Sequence, residues 1–203
     1  MHSNPSFQKP GVNKKFHMRN ICKTLSFSIF SWLASGFSNA ASYAEHSLKA
    51  ASLYNFPDFI TWPSVSNNAP VSDINYCALH NGQVRSSLSL LICSDQDPTV
   101  KRNFSLLPNR RQITTCHLLF LDSSDLITNP NLLEMTSGAP VLTVSDQKEF
   151  LEKSGIIKLA RENNLVKVHL NVDKLTEYAF PVSSQLMRQA TIYPLDYYSE
   201  ASE

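Results

Sequence analysis

Two short runs constrain the fold most: CHLLFL at Cys116–Leu121 and PVLTVS at Pro140–Ser145, both almost free of charge. A strand with one wet face alternates apolar and polar residues. A strand that does not alternate must be covered on both faces, as in a sheet sandwiched between helices. Helical patterns surround these runs. Leu48, Ala51, Phe56, Phe59 and Ile60 recur at helical spacing, and Pro57 removes a donor that should kink or shorten that helix. Further helices are expected around Val84–Leu91, near Asn131–Thr136, at Gln147–Lys153, over DKLTEYA and over SQLMRQA. Ser145-Asp146 fits the helix cap of Gln147–Lys153, with Glu149 at the capping-box offset from Asp146. INYCALH, Ile74–His80, reads as another strand. In VKVHLN, Val166, Val168 and Leu170 alternate with Lys167, His169 and Asn171, which marks a half-buried strand. An Asn163-Asn164 turn joins it to IIKLA as a hairpin. The expected class is a single-domain α/β/α sandwich with a mixed β-sheet.

The N-terminus points to export. Residues 1–40 hold Lys9, Lys14, Lys15, Arg19 and Lys23 and no acid, leaving 13 basic (18 − 5) against 17 acidic side chains beyond them. The basic stretch precedes an apolar run, Leu25–Phe37, and then small residues, the order of a secretory signal peptide. The run is shorter than the roughly 20 apolar residues a bilayer span needs. Cleavage after Ala40 is expected, with Ala44 as the second choice and Met18 as an alternative start. The expected organisation is therefore a signal peptide over 1–40 and an exported domain over 41–203, with its core at about 45–193. The net charge of −4 beyond residue 40 offers no clustered basic footprint for nucleic acid.

In an oxidising compartment cysteines pair. Cys77, Cys93 and Cys116 lie beyond the expected cleavage point, an odd number that leaves one over. Cys77 and Cys116 both sit in strand-like segments able to lie side by side, which favours that pair. Catalytic patterns are missing. His46, His80, His117 and His169 have no metal-ligand spacing, and neither H-E-x-x-H, C-x-x-C nor G-x-S-x-G occurs. Gly82, Gly138 and Gly155 form no phosphate loop. The chain reads as a non-enzyme without cofactor or metal. Two contact features remain. Tyr54, Phe56, Phe59 and Trp62 of the first helix are candidates for a protein-contact surface, because aromatics are enriched at interface hot spots. Lys167 and His169 share a strand face and are candidates for a small-ligand site.

An ordered set of motifs, LKAASLYNFPDFITWP, INYCALH, CHLLFLDSSD, GAPVLTVSDQKEFLEKSGIIKLA, LVKVHLN and VSSQLMRQATIY, resembles the YfiR family of periplasmic proteins and spans Leu48–Tyr193. The resemblance implies an α/β sandwich and a homodimer. It also implies repression of an inner-membrane diguanylate cyclase through the cyclase's periplasmic sensor domain, lowering cyclic-di-GMP, with an outer-membrane lipoprotein as a second partner that sequesters the repressor. It places Cys77 and Cys116 at the family's structural pair. A second pair found in such proteins near Phe150–Gly155 has no cysteines here. The family's Gly-Gly turn is Ser154-Gly155 in this chain, and Pro57 replaces a helix-compatible residue. A periplasmic small-molecule-binding sensor module is the alternative reading.

Overall fold

The two uncharged runs become the centre of a seven-stranded sheet. Strands β3 (Leu118–Leu121) and β4 (Leu142–Ser145) are buried at every residue. The computed structural model describes residues 36–63, 73–97 and 99–194. Backbone contacts divide the chain into Met1–Ala40 and Ala41–Glu203, and the second unit holds the whole sheet. The expected signal peptide lies outside the described residues over 1–35.

The other strands are β1 (Asp73–Ala78), β2 (Lys101–Leu106), β5 (Ile157–Glu162), β6 (Leu165–Asn171) and β7 (Thr191–Tyr193). Their order is β2-β1-β3-β4-β5-β6-β7. Strands β1 to β5 pair in parallel, β6 runs antiparallel to β5, and β7 is parallel to β6. The sheet is thus mixed and the fold is α/β.

Helices α1 (Gly36–Asn55), α2 (Gln83–Ser94), α4 (Val172–Glu177) and α5 (Ser184–Gln189) cover one face. Leu53, Leu88, Leu175 and Leu186 from them join Tyr76, Leu118, Phe120, Leu142, Ile157 and Leu170 of the sheet in the larger core. On the opposite face, α3 (Ser123–Thr128) and short 3-10 turns at Arg110–Thr115, Pro130–Leu132 and Glu134–Thr136 bring Ile113, Leu126, Leu132 and Leu133 over Cys77, Leu119 and Leu121. Successive strand residues therefore feed opposite cores, as a period of two requires.

Several sequence expectations need correction. Gln147–Lys153 forms consecutive turns and no helix, with Phe150 N–H donating to Gln147 O and Gly155 N–H to Phe150 O. Asp146 accordingly caps nothing. Its carboxylate accepts from Lys49 Nζ at 2.8 Å, while Ser145 Oγ takes the Gln147 N–H at 3.1 Å. The helix expected near Asn131–Thr136 is two 3-10 turns. Strand β2, helix α3 and strand β7 had no counterpart in the sequence reading.

The turn leading into β5 is held by a close approach. Ser154 takes φ 71°, in the region that favours glycine. At Gly155 a Cβ would stand 2.3 Å from Cε1 of the buried Phe150 ring. Gly155→Ala should therefore displace a core phenyl group and lower the unfolding free energy by about 2 kcal/mol, as read by urea titration.

Candidate functional site

The first-helix aromatics divide by depth. Phe56 and Trp62 are buried in the larger core. Pro57 stands at the start of a 3-10 turn, Phe56–Asp58, and the chain bends there so that Ile60 N–H donates to Phe56 O at 2.9 Å. Trp62 Nε1–H donates to the His117 carbonyl at 3.0 Å, and its ring meets those of His117 and Phe180 edge-on. Both residues brace the fold. Tyr54 and Phe59 are half-buried. The Arg102 guanidinium lies 4.7 Å over the Tyr54 ring and is anchored by Asp95 at 3.0 Å and Asp58 at 3.4 Å. Of the four candidates, Tyr54 and Phe59 are the two with surface to offer a partner.

The sequence reading missed a more open apolar surface along α1 and α2. Tyr43 is 65 % exposed, Leu48 47 % and Leu90 68 %. Tyr43, Ser47 and Ala51 recur every four residues along α1 and face Ser87, Leu90, Leu91 and Ser94 of α2 across a groove of about 410 Å3. On the other flank of α1, Leu48 and Leu165 border a second groove of about 220 Å3. Helix α1 is thus a ridge between two apolar troughs. The available signal was a surplus: α2 carries Val84, Leu88, Leu90, Leu91 and Ile92, more apolar side chains than one buried face accepts, and Leu90 is left outside.

The register of β5 and β6 sets Lys167 opposite Ala160 and His169 opposite Lys158. Val166 and Val168 pack toward the larger core, so Lys158, Lys167 and His169 share the other, open sheet face. His169 Nε2 lies 2.9 Å from Glu162 Oε1. Lys158 Nζ donates to the Lys148 carbonyl at 3.3 Å.

Cys77 of β1 and Cys116, just ahead of β3, are joined in a disulfide with Cα atoms 5.9 Å apart, and Cys93 is free and exposed. The neighbouring His117 is a structural residue: its Nδ1 accepts the Asn75 N–H at 3.1 Å. Burial holds its pKa below the ordinary 6.5, outweighing the pull of Asp73. A histidine with a depressed folded pKa stabilises above its unfolded pKa, and that contribution is lost as pH falls through the folded value. Protonation would also remove the acceptor from the Asn75 N–H. The melting temperature should fall between about pH 7 and pH 5, and His117→Asn should flatten that slope.

No helix among the described residues is long and apolar enough to cross a membrane. Solved structures resemble the chain only distantly. The ABC domain in complex with L-Trp from Streptococcus pneumonia is 7 % identical, with TM-score 0.45, covering 60 % of this chain and 55 % of that one. A conserved domain protein from Vibrio cholerae O1 biovar El Tor is 10 % identical, with TM-score 0.44, covering 60 % and 54 %. The chain spans about half the length of these structures. No curated protein matches it in sequence. A family model described as YfiR/HmsC-like matches residues 46–191, from the third turn of α1 to the start of β7. The chain belongs to the YfiR/HmsC-like family, whose members are periplasmic regulators of diguanylate cyclase signalling.

Proposed function

We propose that this protein is an exported, non-catalytic repressor of an inner-membrane diguanylate cyclase. It binds the cyclase's periplasmic sensor domain and thereby lowers cyclic-di-GMP. The observation that carries this reading is the apolar ridge of α1 with its α1–α2 groove, on a chain of this family. A protein that regulates by contact needs such a surface, since large exposed apolar patches mark interaction sites. Tyr54 continues it one turn along α1, and Phe56 and Trp62 hold the chain that follows the helix. Binding acts by population shift: the repressor moves the cyclase equilibrium only by the difference in its affinity for the two cyclase states. An outer-membrane lipoprotein that takes the same chain away would release the cyclase, and a homodimer is the proposed form.

Leu90→Glu tests the surface. Its side chain is exposed, so stability should change by no more than about 0.5 kcal/mol. A charge in the groove should nonetheless abolish repression by the secreted chain. Full repression by a folded Leu90→Glu chain would contradict the assignment. A sensor module is the second reading, favoured by the sheet face that carries the Lys158 and Lys167 side chains beside His169. Nucleotides or amino acids that raise the melting temperature, and lose that effect in Lys167→Ala, would support it.

A further inference from the structure

At the other end of the parallel strands lies a cleft that neither reading uses. It has a volume of about 490 Å3 and is formed where the chain leaves β1, at Leu79 and His80, and β2, at Leu107. In the strand order β2-β1-β3 the chain leaves β1 by α2 on one face and returns from β2 to β3 by the 3-10 turn Arg110–Thr115 on the other. The junction of β1 and β3 is therefore the topological switch point. The cleft lies beside that point, outside the carboxyl ends of β1 and β2, the strand end at which open α/β sheets bind ligands.

The chemistry of the lining narrows the ligand. Arg110, Arg111 and His80 line the cleft, with no carboxylate among the lining residues. The acid nearest in the network is Asp125 of α3, whose side chain is 2 % exposed and already committed. Its Oδ1 meets His80 Nδ1 and its Oδ2 accepts the Asp122 N–H. Burial, only partly offset by His80, raises the pKa of that carboxyl. His80 is thus held in place by one ring nitrogen, and Nε2 is the one left for a ligand. Among the described residues Arg110 donates only to the neutral amide oxygen of Asn129. Arg111 makes no side-chain hydrogen bond or ion pair among the described residues. Two arginines therefore line one cleft whose lining holds no acidic partner. The rest of the lining is mixed: Asn109, Thr128 and Asn129 are polar, while Leu79, Leu107, Pro108 and Met135, the last 40 % exposed, supply an apolar side.

We propose that this cleft binds a small metabolite with an oxyanion, a phosphate or a carboxylate, carried on a compact apolar body. The guanidinium groups take the oxyanion by charge-assisted hydrogen bonds, His80 Nε2 supplies a third polar contact, and the body lies against Leu107 and Met135. The site is separate from the α1 ridge and from the Lys167–His169 face, so it stands or falls independently of the repressor reading.

Titration calorimetry of the exported chain with phenyl phosphate, benzoate and inorganic phosphate tests it. Saturable binding of phenyl phosphate or of benzoate is expected at concentrations up to about 10 mM, within reach of a millimolar affinity. Whichever binds identifies the oxyanion, and inorganic phosphate, lacking the body, should bind at least about tenfold more weakly. Arg110→Ala and Arg111→Ala change exposed side chains and should each weaken binding by about tenfold or more, while Lys167→Ala should leave it unchanged. Heat release from neither organic probe, or binding that survives the double variant Arg110→Ala/Arg111→Ala with its melting temperature intact, would overturn the proposal.

Discussion

Replacing Cys77 and Cys116 together by alanine should lower the unfolding free energy by about 4 kcal/mol. The link spans 39 residues, and closing a loop of that length removes about 4 kcal/mol of chain entropy from the unfolded state. Both sulfurs are buried in the smaller core among Ile113, Leu119 and Leu121, so alanine leaves no unsatisfied polar group. The loss is large because whole-domain stability is itself only about 5–15 kcal/mol. The enclosed segment holds α2, the edge strand β2 and the turn Arg110–Thr115, and these lean on the link more than the central strands do. Urea denaturation of the variant, and of the unaltered chain under reducing conditions, should give the same deficit. A deficit below about 1 kcal/mol in both would mean that the cores alone fix β1 beside β3.

Lys49→Met should cost about 3 kcal/mol, for a reason the sequence alone conceals. Lys49 lies in α1 with its side chain buried, yet its ammonium sits 2.7 Å from Glu45 and 2.8 Å from Asp146. Burial pulls its pKa down, but the hydrogen bonds it donates to Asp146 and Glu45 outweigh that and leave it above the ordinary value. Glu45 is held below its own ordinary value, chiefly by the Lys49 hydrogen bond. Removing the cation strands two partly buried carboxylates, and breaking such a group typically costs about 3–5 kcal/mol. The lower end applies because Arg161 still meets Glu45 at 2.7 Å. Lys49→Met combined with Asp146→Asn should recover part of the loss, and the double-mutant cycle measures the coupling. The signs of the two shifts set the pH window. The raised lysine contributes below its unfolded pKa and the lowered glutamate above its own, so the effect should persist between about pH 5 and pH 10.

How much was legible depends on what each pattern encodes. β3 and β4 were legible because complete burial excludes charged residues from the run and leaves only the small hydroxyls of Thr143 and Ser145 to interrupt it. The β5–β6 hairpin was legible because Asn163 and Asn164 take positive φ values of 48° and 63°, which asparagine accepts better than most residues. β2 escaped because an edge strand such as KRNFSL buries none of its residues fully, and charges there also guard an open edge. α3 rests on a capping box between Asp122 and Asp125, four residues that read equally well as a turn. The sequence from Gln147 to Lys153 has the capping chemistry of a helix, but tertiary structure overrode it. The chain must pass from the end of β4 to the start of β5 within a dozen residues while burying Phe150 and Leu151. Lys49 then takes the carboxylate that would have capped. The aromatic cluster shows another boundary. Helical spacing identifies a face but not a depth, so Phe56 and Trp62 could not be told from Tyr54 and Phe59. Nor could one sequence show that the segments leaving β1 at Leu79–His80 and β2 at Leu107 line one cleft.

The most direct test of exported repression is cellular cyclic-di-GMP in a strain deleted for this protein, with secreted and unexported copies supplied in turn. Cyclic-di-GMP should rise on deletion, return to its starting level with the secreted copy, and stay high with a copy lacking the first 40 residues. An unchanged level on deletion across growth conditions, or full rescue by the unexported copy, would contradict the account.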